Sequence, residues 1–306
     1  MTESISHLKR NTIILSIAST SLLLILKLVI GIASGTISII SEAIHSASDL
    51  LASLITFLAI TKSTTSPDKN HHYGHGKFEN LSGAAEAMFI IAAALWIIYE
   101  ACQKYSIVTL PSYIDYGMMA MIVSIIANYF VSARITTVAK KTYSPALEAD
   151  ALHLRADMWT SVGILLSLFF IKITGCLWID PTIAIIVGLV ILRSGYKIIK
   201  KNILELTDIS LSLEEEQLIF EIVNNHTQVL SLYRLRTRQS GCCRIIDMRL
   251  ILDKNMPLDK AHAICEQLES KIRLHFGICD VMIHLEPSAT SESHVNLVIE
   301  KNTLPI

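Results

Sequence analysis

Charged residues are scarce in this 306-residue chain, since Asp, Glu, Lys and Arg together make up 17% of it. Soluble domains usually contain about 25% charged residues, so the composition is not typical of a soluble protein. The formal net charge is −1, which predicts no nucleic-acid partner. The six cysteines form no C-x₂-C pair, and the sequence contains no Gly-x₄-Gly-Lys-Ser/Thr pattern. These two absences argue against a zinc-finger motif and a P-loop nucleotide site.

Long apolar runs dominate the sequence before about residue 200. A helix needs about 20 apolar residues to cross the hydrocarbon core of a bilayer. The first run is too long for a signal peptide and is followed almost at once by a second run. We therefore predict a transmembrane domain over residues 1–206, with six spans near residues 12–33, 37–61, 81–102, 116–138, 147–173 and 178–199.

Basic residues mark one side of the predicted spans. Lys and Arg occur in the N-terminal tail, in the second and fourth connections and at the end of the last span, at Lys9, Arg10, Lys62, Lys69, Lys77, Arg134, Lys140, Lys141, Lys197, Lys200 and Lys201. The opposite side has only Lys104 and Lys172 near span ends. Because basic residues concentrate on the cytoplasmic side of a membrane, we predict that both termini lie in the cytoplasm.

Two of the predicted spans carry a histidine and an aspartate four residues apart, His45 with Asp49 and His153 with Asp157. On an α-helix this spacing places both side chains on one face. Ionisable side chains are costly inside a bilayer and usually mark a functional site. Two nitrogens and two oxygens suit the tetrahedral coordination of Zn²⁺, so the two pairs predict a divalent-metal site within the membrane.

After about residue 207 the apolar runs give way to a more highly charged sequence. Helical and strand patterns alternate in α-β-β-α-β order, over residues 212–224, 230–238, 244–252, 257–276 and 281–285. Gln239-Ser240-Gly241 joins the first two strands as a hairpin turn. We predict a small α+β domain over residues 207–288 with an antiparallel sheet, followed by a flexible tail over residues 289–306.

Four motifs resemble those of one protein family: Ser41-Glu42-Ala43-Ile44-His45-Ser46-Ala47-Ser48-Asp49, Tyr73-Gly74-His75-Gly76-Lys77, Ala151-Leu152-His153-Leu154-Arg155-Ala156-Asp157 and Leu235-Arg236-Thr237-Arg238-Gln239-Ser240-Gly241. The chain resembles the bacterial cation diffusion facilitators of the zinc/iron efflux type from residue 8 to residue 288. The resemblance implies six transmembrane helices followed by a metallochaperone-like cytoplasmic domain. It also implies a homodimer in the lipid bilayer of the cell inner membrane, which exports divalent metal in exchange for protons and is not an enzyme.

The resemblance carries specific roles onto this sequence. It implies a transport site built from the second and fifth spans, with the ligands His45, Asp49, His153 and Asp157. It implies a second metal site in the second connection, formed by Asp68, His71 and His75. It further implies a charge interlock at the start of the cytoplasmic domain, formed by Lys77, Asp208 and Arg238. We assign no direct transport role to the intramembrane charges Lys27 and Glu86. The Lys27 side chain is expected either to snorkel to the membrane surface or to pair inside the bundle. Glu86 is expected either to solvate the cytoplasmic mouth of the site or to help protons reach it.

A third metal site, in the cytoplasmic domain, departs from the pattern of the family. His262 and His284 match ligand positions, and Glu286 replaces the usual aspartate. Tyr233 and Arg249 occupy two other ligand positions. Since arginine remains cationic and cannot ligate a metal, we predict one metal ion or none there, with Arg249 paired to Glu286.

The ligand types favour Zn²⁺ as the transported substrate, which could also occupy the secondary sites. Fe²⁺, Co²⁺ and Cd²⁺ also fit, whereas hard Mg²⁺ and Ca²⁺ prefer six or more oxygens. Within the family a histidine at the position of His45 is associated with rejection of Cd²⁺. Two other functions use the same residues: a membrane metal sensor without transport, and an intramembrane metalloenzyme that activates water.

The cysteines leave two alternatives open. Cys242 and Cys243 lie at the hairpin tip, where they either bind incoming metal or, as we prefer, simply occupy a turn that tolerates small residues. Cys102 and Cys176 fall near the outer ends of the third and fifth spans. They could form a disulfide in an oxidising compartment, but the sequence does not give their separation.

Overall fold

The computed structural model describes residues 2–34, 37–104, 114–174 and 178–288 of the chain. The chain divides into two units, Met1–Leu206 and Thr207–Ile306. The described residues of the first unit, hereafter the membrane unit, form only helices and their connections, whereas the second unit combines helices with a sheet. Residues 289–306, for which the sequence predicts a flexible tail, lie outside the described residues.

Six long helices form the membrane unit: α1 (Thr2–Ser34), α2 (Ile37–Ser63), α3 (Lys77–Lys104), α4 (Ile114–Thr142), α5 (Pro145–Thr174) and α6 (Ile179–Leu206). Pro145 and Pro181 fall in the first turns of α5 and α6, where the missing N–H removes no helical hydrogen bond. Among the described residues, an apolar stretch long enough to cross a membrane is found in five of the helices, α1, α3, α4, α5 and α6. The α2 helix has 27 residues, which also suffices to span a bilayer. The predicted membrane α-helical fold is confirmed.

Small residues allow α3 and α6 to pack closely. A Cβ atom added at Gly188 of α6 would come within 2.7 Å of Ile98 Cγ1, and one at Gly195 within 2.9 Å of Ile91 Cγ1. Both distances are shorter than ordinary contacts, so only glycine fits at these two positions without a shift. The two glycines are seven positions apart, which places them on one face of α6. Glycines at such positions let helix backbones approach each other in membrane proteins.

The second unit consists of α7 (Leu213–Asn224), β1 (Ser231–Ser240), β2 (Cys243–Leu252), α8 (Leu258–Phe276) and β3 (Cys279–Pro287). Ser212 and Glu215 begin α7 as a capping box, in which each side chain accepts a hydrogen bond from the backbone N–H of the other. Gly241 has a positive φ of 57° and allows the tight turn between β1 and β2. The α-β-β-α-β order predicted from the sequence is therefore present.

The three strands form one sheet in the order β1-β2-β3. β1 and β2 pair antiparallel, but β2 and β3 pair parallel, with Arg244 opposite Cys279. The prediction of an antiparallel sheet was therefore wrong for β3. The cause is α8, which returns the chain to the edge where β2 begins, as a crossover helix between parallel strands does. Both helices cover the sheet through one apolar core, whose most buried members are Ile219, Val223, Ile246, Leu250, Leu268 and Ile272.

Candidate metal centre

Asp49 on α2 and His153 and Asp157 on α5 converge inside the membrane unit and are hereafter called the membrane cluster. His153 Nε2 lies 3.1 Å from Asp49 Oδ1 and 3.8 Å from Asp157 Oδ2. One ligand atom from each residue lies within 4.8 Å of the other two. Asp49 and His153 are buried, and Asp157 is partly buried. The fourth predicted ligand, His45, has its backbone in α2, but its side chain lies outside the described residues.

This arrangement follows from the sequence of two helices. The spacing of His153 and Asp157 places both on one face of α5, and their interaction spans one helical turn. Asp49 on α2 completes the group because its carboxylate meets the same imidazole nitrogen, Nε2. A nitrogen flanked by two carboxylates has the donor types of a zinc site. The membrane cluster can therefore bind a divalent cation, and the same atoms can bind protons in its absence.

A polar cavity adjoins the membrane cluster between α1, α2, α4 and α5. Asp49 and Asp157 line it together with Lys27, Asn128 and Thr160. Asn128 and Lys27 are buried although both are polar. The carboxylates therefore face a small polar recess inside a bundle of otherwise apolar helices.

Two more carboxylates lie buried near the membrane cluster, Glu86 on α3 and Asp150 on α5. Thr56 Oγ1 donates a hydrogen bond to Glu86 Oε2, and Ser53 Oγ donates one to Asp150 Oδ1, each at 3.1 Å. Glu86 and Asp150 both interact electrostatically with His153. The sequence prediction considered Glu86 but missed Asp150. The sequence does indicate Asp150, because it is a carboxylate within an apolar run, three residues before His153.

The loop between α2 and α3 brings together Asp68, His71 and His75, hereafter the loop cluster. Asp68 Oδ1 lies 3.3 Å from His71 Nδ1, and Asp68 Oδ2 lies 3.2 Å from His75 Nε2. Asp68 Oδ1 also accepts backbone hydrogen bonds from Asn70 N at 2.9 Å and His71 N at 2.8 Å. These two backbone hydrogen bonds lower the pKa of Asp68 to about 2, and the bond from Asn70 has the larger effect. The carboxylate is therefore ionised at any physiological pH, and could accept a metal ion without first losing a proton.

The predicted cytoplasmic ligands do not form a three-ligand group with one another among the described residues of the single chain. His262 is exposed on α8 and lies 3.5 Å from Glu266. His284 on β3 is the strand partner of Arg249 on β2. Arg249 Nη1 donates a hydrogen bond to Glu286 Oε1 at 3.2 Å, so the ion pair predicted from the sequence is present.

Tyr233 lies at an irregularity in β1, where the pairing with β2 shifts between Leu232 and Arg234. A bulge of this kind turns a side chain away from its regular position in the strand. Tyr233 therefore lies outside the regular pairing of β1, at a position to which the family resemblance assigned a metal ligand.

The predicted charge interlock is present in part. Arg238 Nη1 lies 3.2 Å from Asp208 Oδ2, within the second unit. Lys77 Nζ donates a hydrogen bond to the backbone oxygen of Leu206 at 3.3 Å, within the membrane unit. The pairing of Lys77 with Asp208 stays a prediction.

Three of the four cysteines of the second unit are poor candidates for metal ligands. Burial is the main reason that the pKa of Cys243 rises to about 11, and burial also raises the pKa values of Cys265 and Cys279. A thiol binds metal as the thiolate, which is therefore disfavoured at these three positions. The alternative disulfide between Cys102 and Cys176 involves a residue outside the described part of the chain.

A membrane helix bundle with a buried His/Asp cluster, followed by a small α+β unit, defines a class of metal-handling membrane proteins. The family of the cation efflux transmembrane domain matches residues 13–207, and that of the cation efflux protein cytoplasmic domain matches residues 211–288. The chain belongs to the cation efflux, or cation diffusion facilitator, family. The resemblance identified from its four motifs is confirmed.

Curated relatives match almost the whole chain. The cation-efflux pump FieF of Escherichia coli (strain K12 / DH10B) is 32% identical over 94% of this chain and 95% of its own length. Protein p34 of Rickettsia prowazekii (strain Madrid E) is 29% identical over 97% of this chain and 98% of its own length. A solved structure of CzrB in a zinc form shares 26% identity with a TM-score of 0.25, covering 28% of this chain and 98% of that chain.

Proposed function

We propose that this protein exports divalent metal from the cytoplasm in exchange for protons, with Zn²⁺ as the principal substrate. The convergence of Asp49, His153 and Asp157 inside the membrane unit is the observation that carries the proposal. Membership of the cation efflux family supports export of a cation. The metal identity and the proton coupling are argued from the chemistry of the cluster.

The ligand set favours zinc. Imidazole nitrogen suits borderline metals, and His45 would add a second nitrogen to a four-coordinate site. Fe²⁺, Co²⁺ and Cd²⁺ accept the same donor types, and FieF is described only as a cation-efflux pump. We therefore rank zinc first among transition metals and exclude Mg²⁺ and Ca²⁺ as principal substrates, since these ions prefer more oxygen ligands.

Proton coupling follows from competition for the same atoms. An imidazole must be neutral and a carboxylate ionised to bind a metal, so binding displaces protons and protons displace the metal. Asp150 adds a buried carboxylate about one helical turn before His153 on α5, and Glu86 adds another on α3. We propose that they pass protons between the cluster and the cytoplasmic end of the membrane unit.

We propose a homodimer in the cell inner membrane, with both termini in the cytoplasm. The basic residues at the ends of the spans support this orientation, and the match of residues 211–288 to the cytoplasmic domain of cation efflux proteins supports both the location and the dimer. The loop cluster then lies on the cytoplasmic side, where we propose that it binds zinc in a regulatory role. There the charge interlock would tie the loop, through Lys77, to Asp208 and Arg238.

Zinc flux in proteoliposomes tests the proposal directly. Purified protein should move Zn²⁺ across the vesicle membrane when a pH gradient is imposed, and the flux should reverse with the gradient. An added ionophore that collapses the gradient is the control. Zinc binding without flux would favour a membrane sensor, and flux that ignores the pH gradient would remove the proton-coupling part of the proposal.

The replacement His45→Asp tests the selectivity of the transport site. The variant exchanges a nitrogen ligand for an oxygen ligand, which should relax discrimination against the larger Cd²⁺. We expect the ratio of Cd²⁺ to Zn²⁺ transport to rise on the order of tenfold, the effect of about 1.4 kcal/mol in relative binding. Parallel flux measurements with the two metals give the ratio, and an unchanged ratio would place selectivity in the surrounding helix packing.

Dimerisation of the second unit should depend little on zinc. Arg249 carries a fixed positive charge at a ligand position and is paired to Glu286, so it repels a metal ion. Sedimentation of the fragment from Asp208 to Ser288 should give the same oligomeric state with zinc and with a chelator. Its dimer should weaken as salt screens exposed ion pairs.

The variant Arg249→His provides a matched comparison for this fragment. It replaces the guanidinium with an imidazole that can ligate, so zinc should promote its dimer more than that of the unchanged fragment. A zinc-driven shift from monomer to dimer in the unchanged fragment would show that the cytoplasmic site survives despite Tyr233 and Arg249.

A further inference from the structure

The lysine at position 27 lies in the cavity that adjoins the membrane cluster. Its side chain belongs to a residue only 8% exposed, and Nζ donates a hydrogen bond to Ser46 Oγ at 3.0 Å. Ser46 precedes Asp49 by three residues on α2, so the two side chains share one helix face. Of the two arrangements expected from the sequence, internal pairing is therefore observed and snorkelling to the membrane surface is not.

The same cavity contains two metal-binding carboxylates. Asp49, Asp157 and Lys27 all line it, which places one ammonium and two carboxylates around a common space within the apolar bundle. Buried charges need compensation inside a membrane. The ammonium supplies part of that compensation at a position tied to α2 through Ser46.

A divalent cation changes this balance. Two carboxylates neutralise one Zn²⁺, so Asp49 and Asp157 no longer compensate the ammonium of Lys27 once the metal is bound. A divalent ion bound by these carboxylates is repelled by the ammonium that lines the same cavity. Lys27 therefore stabilises the empty site and destabilises the filled one.

We propose that Lys27 is a built-in counter-cation of the transport site, which compensates Asp49 and Asp157 when metal is absent and promotes metal release when it is present. The proposal rests on the transport function proposed above and assigns Lys27 a positioning and affinity-setting role. A lysine that only tied α1 to α2 through Ser46 would have the opposite signature, because its loss would loosen the site and weaken metal binding.

Zinc binding to the purified full-length protein in detergent distinguishes these roles. In Lys27→Met, which keeps the length of the side chain but removes its charge, the dissociation constant for zinc at the membrane cluster should fall on the order of tenfold or more. Binding that disappears in Asp157→Ala defines the membrane cluster and separates it from the loop cluster. Lys27→Arg retains the charge and should bind zinc as the unchanged protein does.

The variant Lys201→Met is the matched control for total charge. Lys201 lies on α6 and pairs with the half-exposed Glu148. Neither residue lines the cavity, so zinc affinity should not change. Tighter zinc binding together with slower zinc flux in Lys27→Met supports the proposal, because an ion held more strongly leaves more slowly.

Unchanged or weaker zinc binding in folded Lys27→Met overturns the proposal. If that variant does not fold, Lys27→Gln, which is neutral but keeps a hydrogen-bond donor, is measured and judged by the same criterion. The proposed transport function fails separately, if the unchanged protein binds zinc at the membrane cluster but gives no zinc flux in vesicles. The affinity comparison remains decisive in that case.

Discussion

Replacing Asp157 with alanine should abolish zinc transport while leaving the membrane unit folded. The residue contributes one of the three ligand atoms that converge on His153 and Asp49. Loss of a mere hydrogen-bonding partner of a metal ligand typically costs ten- to a hundredfold in affinity or activity. Loss of a ligand should therefore reduce zinc flux by more than about a hundredfold, and His153→Ala should do the same.

The control for this prediction is Glu148→Ala, on the same helix. Glu148 is a half-exposed carboxylate of α5 paired with Lys201, so its removal changes the charge of the helix without touching the membrane cluster. Flux by Asp157→Ala at the level of Glu148→Ala would contradict the assignment of the transport site. Thermal unfolding of each variant shows whether a loss of flux reflects a loss of fold.

The replacement Glu79→Gln should strongly destabilise the membrane unit. Lys9 Nζ and Glu79 Oε1 are 2.7 Å apart, and both side chains are 1% exposed. Ser63 and Ser144 also donate hydrogen bonds to this carboxylate, so Glu79 joins α1, the end of α2, the start of α3 and the connection before α5. Removing one partner of a buried ion pair leaves the other charge buried without that partner and costs about 3–5 kcal/mol.

A double variant separates the ion pair from the packing around it. Lys9→Met combined with Glu79→Gln removes both charges and should recover most of the stability lost in Glu79→Gln alone. The exposed pair of Lys201 with Glu148, at 2.6 Å, gives the comparison, since Glu148→Gln should cost less than about 1 kcal/mol. Denaturation midpoints of the detergent-solubilised proteins provide the values, and equal losses at the two pairs would refute the prediction.

Local patterns in the sequence predicted the helices and the pairs of side chains that share one face of a helix. The spacing of His153 and Asp157 is a property of one helix, so it required no knowledge of the fold. Sequence length and apolar composition likewise predicted six spans. The helical faces were harder to assign, since α1 is apolar around most of its circumference. For this reason the sequence could not decide whether Lys27 would turn towards the cavity or towards the membrane surface.

Contacts between distant parts of the chain were not predicted where no motif of the family covered them. Lys9 and Glu79 are separated by 70 positions, and no periodicity relates them. Similarly, the parallel pairing of β3 depends on the path of α8 across the sheet and not on the strand pattern of residues 279–287. Asp150 was missed because it lies just outside the motif Ala151–Asp157. The apolar residues around it were nevertheless a sign of a buried carboxylate.

The turn at Asp68 also determines the entropy of metal binding in the loop between α2 and α3. Ordering a flexible backbone costs about 1–2 kcal/mol of free energy per residue. In a metal site that is flexible when empty, this cost reduces the free energy gained on metal binding. Here the N–H groups of Asn70 and His71 already hold the Asp68 carboxylate, and His75 lies 3.2 Å from it. The loop is thus ordered before any ion arrives, so the free energy of coordination is not spent on folding it.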